Sequence, residues 1–192
     1  MKKLFPLFLF LISLLIYSCS SDTRATLNKT LDNYDKKIDS FSVLLNTFND
    51  PSPDTVIQKI RNLENEFSQL ILLSDNEIES LLKQLKTIPK NRKHLEKRYL
   101  ELRLKANLLM QKIISTKTKH IVARLEEVKK SLSQTYQNID NLGPAVNNSI
   151  QEWGNNQLTE IDQTIKDIQD KMTIQLDSLN RQFLELKKQE KK

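Results

Sequence analysis

LNKTLDNYDKKIDSFSVLLNTF, residues 27–48, decides the fold class of this chain. Its apolar side chains fall at Leu27, Leu31, Tyr34, Ile38, Phe41, Leu45 and Phe48. The steps alternate four and three without an error. That spacing places all of them along one stripe of a helix, whereas a half-buried strand would alternate every second residue. Asp50-Pro51-Ser52-Pro53-Asp54 then interrupts the stripe. Proline cannot continue a helix, and Asp54 is suited to cap the next one.

The same periodicity extends through three further segments. From about Asp54 to Ile88 the stripe is Ile57, Ile60, Leu63, Phe67, Ile71, Ser74, Ile78, Leu81, Leu85 and Ile88. Ser74 is its polar member, and Ser74-Asp75-Asn76 is expected to mark a kink or short break. From about Lys90 to Leu142 the stripe runs through Leu95, Tyr99, Leu102, Ala106, Leu109 and Ile113, slips, and resumes from Ile121 to Ile139. The Thr- and Lys-rich residues 115–120 are expected to break it. Gly143-Pro144 suits the end of one helix and the first turn of the next. From about Ala145 to Lys187 the stripe reaches from Val146 to Leu186, with a weak point expected at Gly154-Asn155-Asn156. Tyr34, Tyr99, Tyr136 and Trp153 occupy stripe positions and are expected to pack in the core.

Four such segments joined by short turns predict an all-α fold. The expected architecture is an elongated antiparallel helical bundle, or coiled coil, of three to four long helices. A sustained heptad stripe fits a partner in the same chain or in a second copy, so a homo-oligomer stays open. The composition agrees: two glycines, 6% aromatic residues and 28% charged residues suit long helices.

The N-terminus carries a different signal. Met1-Lys2-Lys3 gives a positive start, and Leu4 to Ile16 is apolar apart from Pro6 and Ser13. Tyr17, Ser18 and Cys19 follow, and Cys19 is the only cysteine of the chain. Leu4 to Tyr17 is 14 residues, whereas a spanning helix needs about 20. This is the layout of a secretory signal peptide with a small residue before its processing site. Ile16-Tyr17-Ser18-Cys19 resembles the motif of bacterial lipoprotein precursors, which are cut by a lipoprotein-specific signal peptidase. The resemblance implies cleavage before Cys19, a covalent lipid on that thiol and on its new amino group, and no other cofactor. Two or more acyl chains anchor a protein stably in a bilayer, and members of this class carry three. Ser20, rather than Asp, follows the cysteine, which permits delivery to an outer membrane in this class.

The predicted organisation is therefore a signal peptide over 1–18, a lipidated anchor and short tether over 19–24, a helical bundle over 25–188 and a charged tail over 189–192. The mature chain has no second cysteine and forms no internal disulfide.

Charge is unevenly distributed. Residues 86–130 hold 14 Lys or Arg against 4 Asp or Glu, whereas residues 22–85 hold 7 against 11 and residues 131–170 hold 1 against 6. Two readings of the basic third helix stand open: pairing with its acidic neighbours, or an anion-binding face. The binding candidates are Lys90, Arg92, Lys93, Lys97 and Arg98, with a second group at Lys112, Lys117, Lys119 and Arg124. Partners of suitable chemistry are a polyanion, anionic lipid or an acidic protein surface. Nucleic acid is not expected, because aromatic residues do not interleave with the cations as single-strand binding prefers.

Signs of catalysis are few. His94 and His120 are far apart, with Asn91 and Lys117 rather than carboxylates three positions before them, so the Glu-x-x-His pairs of di-iron bundles are absent. No Cys/His spacing suits zinc, and Gly143 and Gly154 are too isolated for a phosphate-binding loop. Glu126 and Glu127 are adjacent and point to different sides of a helix. Neither a metal site nor an enzyme is expected. The lipid signal and the Lys/Asn/Ile-rich helical composition resemble, in general style, the small helical surface lipoproteins of spirochaetes. The expectation is a bilayer-anchored surface or envelope interaction module of a bacterial cell, located at the outer membrane. The alternative is a structural spacer or tether between membrane and cell wall, to which the Lys-rich end from Lys187 to Lys192 would belong.

Overall fold

Proline opens three of the four helices. The computed structural model describes residues 4–48, 53–85, 89–138 and 144–190, with side chains described over 22–48, 54–85, 92–136 and 148–189. α1 spans Leu4–Asn46, α2 Pro53–Gln84, α3 Pro89–Asn138 and α4 Pro144–Glu190. The protein is an all-α helical bundle, with no strand among the described residues. A proline at the first helical position lacks an N–H that would be unsatisfied there anyway, and its φ already suits the helix. α1 ends on Thr47, whose N–H and Oγ1 donate to the Leu44 carbonyl at 3.0 and 2.7 Å. This tight turn satisfies a carbonyl that the helix end leaves open.

α2 runs through Ser74-Asp75-Asn76, where the sequence predicts a kink or short break, and α3 and α4 are likewise continuous through residues 115–120 and Gly154-Asn155-Asn156. The α3 stripe does lapse at 115–120, where Thr118 alone is buried. Two threonines in these stretches turn their hydroxyls back onto the helix: Thr116 donates to the Lys112 carbonyl and Thr159 to the Asn155 carbonyl, each at 2.8 Å. Back-bonding of this kind lets a polar residue sit inside a helix. The α2 stripe is also corrected. Val56 and Leu70 are buried, whereas Ile57 and Ile71 are half-buried. The true stripe, Val56, Ile60, Leu63, Phe67, Leu70 and Ser74, keeps strict steps of four and three, and it faces the core without drifting.

The chain divides into two compact units. The first comprises Met1–Val43, Glu66–Leu109 and Phe183–Lys192. Its core is built from Leu27, Leu31, Tyr34 and Ile38 of α1, Phe67 and Ile78 of α2, and Leu95, Tyr99 and Leu102 of α3. The Phe41 and Phe67 rings meet at 5.1 Å between centroids. Full burial of a side chain such as Phe67 contributes about 1.5–3 kcal/mol. α1 and α2 run antiparallel here, since Thr30 bonds Glu77 while Phe41 meets Phe67. α1 and α3 run parallel, because Asp32 pairs with Arg98 and Asp39 with Lys105.

The second unit comprises Leu44–Asn65 and Met110–Gln182. Its core holds Leu45, Val56, Ile60, Leu63, Met110, Ile113, Ile114 and Ile165. α2 is antiparallel to α3, with Asp54 at Arg124 and Glu64 at Lys117. α3 is antiparallel to α4, with Lys129 at Asp162 and Tyr136 at Trp153. No described residue from 119 to 153 is buried. Trp153 is 57% exposed, which corrects the expectation that it packs in the core. At this level its described aromatic neighbour is the Tyr136 edge, at 5.9 Å and 84°.

Candidate functional site

Cys19 falls within α1, and its side chain lies outside the described ones, as does that of Lys90. The remaining cations of the predicted binding face are placed along α3. In the first unit, Arg98 pairs with Asp32, and Lys105 binds Asp35 at 2.5 Å and Asp39 at 2.8 Å. In the second, Lys112 donates to Asn46 at 2.8 Å. The sequence offset is 66 for Arg98–Asp32 and again for Lys112–Asn46. Within the first unit, Arg98 and Lys105, one heptad apart on α3, meet Asp32 and Asp39, one heptad apart on α1, as flanking positions of a parallel helix pair do.

Other cations turn towards α2. Lys117 binds Glu64 at 2.5 Å, with side chains only 19% and 17% exposed. This is the best-shielded ion pair of the group, and exposed pairs contribute less. Arg124 reaches Asp54 at 3.4 Å and Glu127 at 3.3 Å. Arg92 binds Glu96 one turn along its own helix at 2.6 Å. Lys93, Lys97 and Lys119 are exposed and form no ion pair among the described residues. Burial lowers the Lys105 pKa, but the hydrogen bonds to Asp35 and Asp39 outweigh it and leave the ammonium above its ordinary value. The hydrogen bond to Asp162 likewise raises Lys129.

The helix register adds cations that sequence reasoning missed. In the first unit, the α1–α3 offset sets Lys93 level with Leu27 and Lys97 level with Leu31. The antiparallel α1–α2 register sets Lys83 level with Arg24. Arg24, Lys83, Lys93 and Lys97 are all exposed and belong to the same end of this unit, the one nearest Cys19 along α1. They are dispersed in sequence, so no local cluster announces them.

A second constellation also escaped the sequence reading. Asp75 of α2 is half-buried between Tyr34 of α1 and Tyr99 of α3. Arg103 reaches its Oδ2 through Nε at 3.5 Å and lies over the Tyr99 ring, 5.6 Å from the centroid. Tyr34 Oη, Tyr99 Oη and Asp75 Oδ1 are buried without a hydrogen-bond partner of normal geometry. Burial pushes the Asp75 carboxyl above the usual carboxylate range, and the nearby Tyr99 phenol and Arg103 guanidinium offset this only in part. Burial, reinforced by Asp75, raises both phenols well above an ordinary tyrosine. The cluster's signal in the sequence was the polar Ser74 inside an apolar stripe, next to Asp75.

Among the described residues, no group of three His, Cys, Asp or Glu side chains is placed to hold a metal ion. No helix among them is long and apolar enough to cross a membrane. His94 is exposed and His120 half-buried, and Glu126 and Glu127 are exposed. No protein-family model matches the chain, and neither a curated protein nor a solved structure is similar to it.

Proposed function

We propose that this chain is a lipid-anchored protein of a bacterial envelope, held at the outer membrane by acylated Cys19, and that it acts as an interaction module. The first surface it engages is the bilayer itself. The observation that carries this reading is the antiparallel register of α1 and α2. It sets the exposed Lys83 level with the exposed Arg24, about 7–8 Å beyond Cys19 at the helical rise, whereas Lys93 and Lys97 lie level with positions further along α1. Each Lys or Arg near an anionic leaflet contributes about 1 kcal/mol, and the attraction fades within a Debye length. The cations thus reinforce the acyl anchor as a second membrane signal. Arg98, Lys105, Lys117, Arg124 and Lys129 of α3 are paired with carboxylates within the bundle, which argues against a continuous polyanion-binding face. The same internal pairing favours the second reading, a spacer or tether within the envelope.

Two experiments test the proposal. Radiolabelled palmitate should enter the wild-type protein and not Cys19→Ser; equal labelling, or none in either, would end the anchor hypothesis. The lipidated protein is then reconstituted in vesicles with and without phosphatidylglycerol, and its lysines are labelled with an amine-reactive reagent. Lys83 should be protected several-fold by the anionic lipid while Lys36 and Lys37 are not. Uniform labelling would remove the headgroup contact. Proteolysis on intact cells separates a surface module, which is digested, from an internal tether, which is protected.

A further inference from the structure

The outward face of α4 carries its own heptad pattern. Asp170, Ile174, Asp177, Arg181, Leu184 and Lys188 follow one another in steps of four, three, four, three and four. On one continuous helix that spacing lines them along a single face. All six are exposed, Ile174 at 67% and Leu184 at 57%. The charged four form no ion pair among the described residues. The inward stripe, which buries Ile165 and Leu186, is a separate set of positions.

The order of these side chains is its own complement. Read forward it is acid, apolar, acid, base, apolar, base. Read backward with the signs exchanged, it is the same. We infer that α4 docks antiparallel onto α4 of a second copy of this chain through this face. With the two-fold axis level with Leu179, Asp170 meets Lys188, Ile174 meets Leu184 and Asp177 meets Arg181, each twice. One position aside, Lys171 of one copy approaches Glu185 of the other, the flanking contact expected of an antiparallel helix pair. Parallel pairing would set identical residues opposite one another, so that like charges met at every charged level. The face is therefore isologous, as a closed dimer requires.

The paired stretch is about 27 Å long. Exposed ion pairs each contribute little and are screened by salt, so the dimer is weak and salt-sensitive. It is independent of acylation at Cys19. The test is sedimentation equilibrium of the full chain in a fixed excess of detergent, over a range of protein concentration. The wild type should dimerise reversibly. Asp177→Arg should raise the Kd at least tenfold, which corresponds to about 1.4 kcal/mol, and the exchange Asp177→Arg with Arg181→Asp, which sets opposite charges face to face again, should restore it to within about threefold. Ile174→Ser with Leu184→Ser should leave a monomer of unchanged helicity. A wild type that stays monomeric to millimolar concentration would overturn the proposal. So would an Asp177→Arg variant with an unchanged Kd, or an exchange that fails to restore association.

Discussion

Replacing Gly154 by alanine should destabilise this protein, although alanine is the better helix former. A β-carbon at Gly154 would lie 2.7, 2.8 and 2.9 Å from Cε2, Cδ2 and Cζ of Tyr136. Carbon atoms in good contact stand about 3.5–4.0 Å apart, so the ring must retreat by roughly 1 Å. That ring is held by the edge-on contact with Trp153, and its hydroxyl is already buried. Overpacking of this kind costs about 1–3 kcal/mol. The helix-propensity gain of Gly→Ala is about 1 kcal/mol in the opposite direction. The expected net loss is about 1 kcal/mol. Tyr136→Ala removes the obstacle, and in that background Gly154→Ala should instead stabilise by about 1 kcal/mol, its intrinsic gain. Urea unfolding of the four proteins, followed by far-ultraviolet circular dichroism, gives the coupling directly. It should be about 2 kcal/mol, well above the 0.3–0.5 kcal/mol scatter of independent sites. If Gly154→Ala has the same effect in both backgrounds, the close approach of α4 to Tyr136 is not what requires glycine there.

Asp75→Asn should alter how stability depends on pH. The folded pKa of Asp75 lies above its ordinary 3.8, so the protonated carboxyl favours the fold and ionisation weakens it. Wild type should therefore gain on Asp75→Asn as pH falls from neutrality through the raised pKa towards 3.8; a pH-independent difference in urea midpoints, or one of opposite sign, would contradict this. The two raised phenols act at the other extreme: unfolded tyrosines ionise from about pH 10, while Tyr34 and Tyr99 stay neutral in the fold. Stability should thus fall above about pH 10, less steeply in Tyr34→Phe with Tyr99→Phe, as thermal unfolding at pH 9 and 11 would reveal. Phe67, 0% exposed, should cost about 3–5 kcal/mol on replacement by alanine, and half-buried Phe41 clearly less; equal losses would argue against their placement.

Periodicity carried most of this architecture. The α1 stripe was legible residue by residue, because Leu27 to Ile38 keep a strict heptad and every member is buried. In α2 the stripe was misread by one position at Val56 and Leu70, where adjacent apolar pairs, Val56-Ile57 and Leu70-Ile71, offer two registers of similar apolar content. Ser74-Asp75-Asn76 reads as a kink or short break from intrinsic preference, and tertiary packing overrides it: Ser74 is buried in the stripe and α2 is continuous there. The functional residues divide differently. Cys19 is conspicuous because its signal is local. Arg24, Lys83 and the Tyr34–Asp75–Tyr99–Arg103 cluster are assembled from separate helices, and their juxtaposition depends on inter-helix offsets that no local pattern encodes. The fate of the basic residues had the same origin: Arg98, Lys112, Lys117 and Arg124 found acceptors only once those offsets were fixed.

The parallel pairing of α1 with α3 also imposes an order in time. Partners 66–70 residues apart cannot meet until the first third of α3 has followed α2 out of the ribosome. Chains emerge N-terminus first at about 5–20 residues per second. Until then Asp32, Asp35 and Asp39 stand without the cations that α3 supplies. The arriving α3, with its surplus of positive charge, is drawn to those carboxylates before its apolar stripe finds the groove. The uneven charge along the chain thus places attraction between its early and late parts, because Asp32, Asp35 and Asp39 precede Arg98 and Lys105 in the sequence and pair with them in the fold.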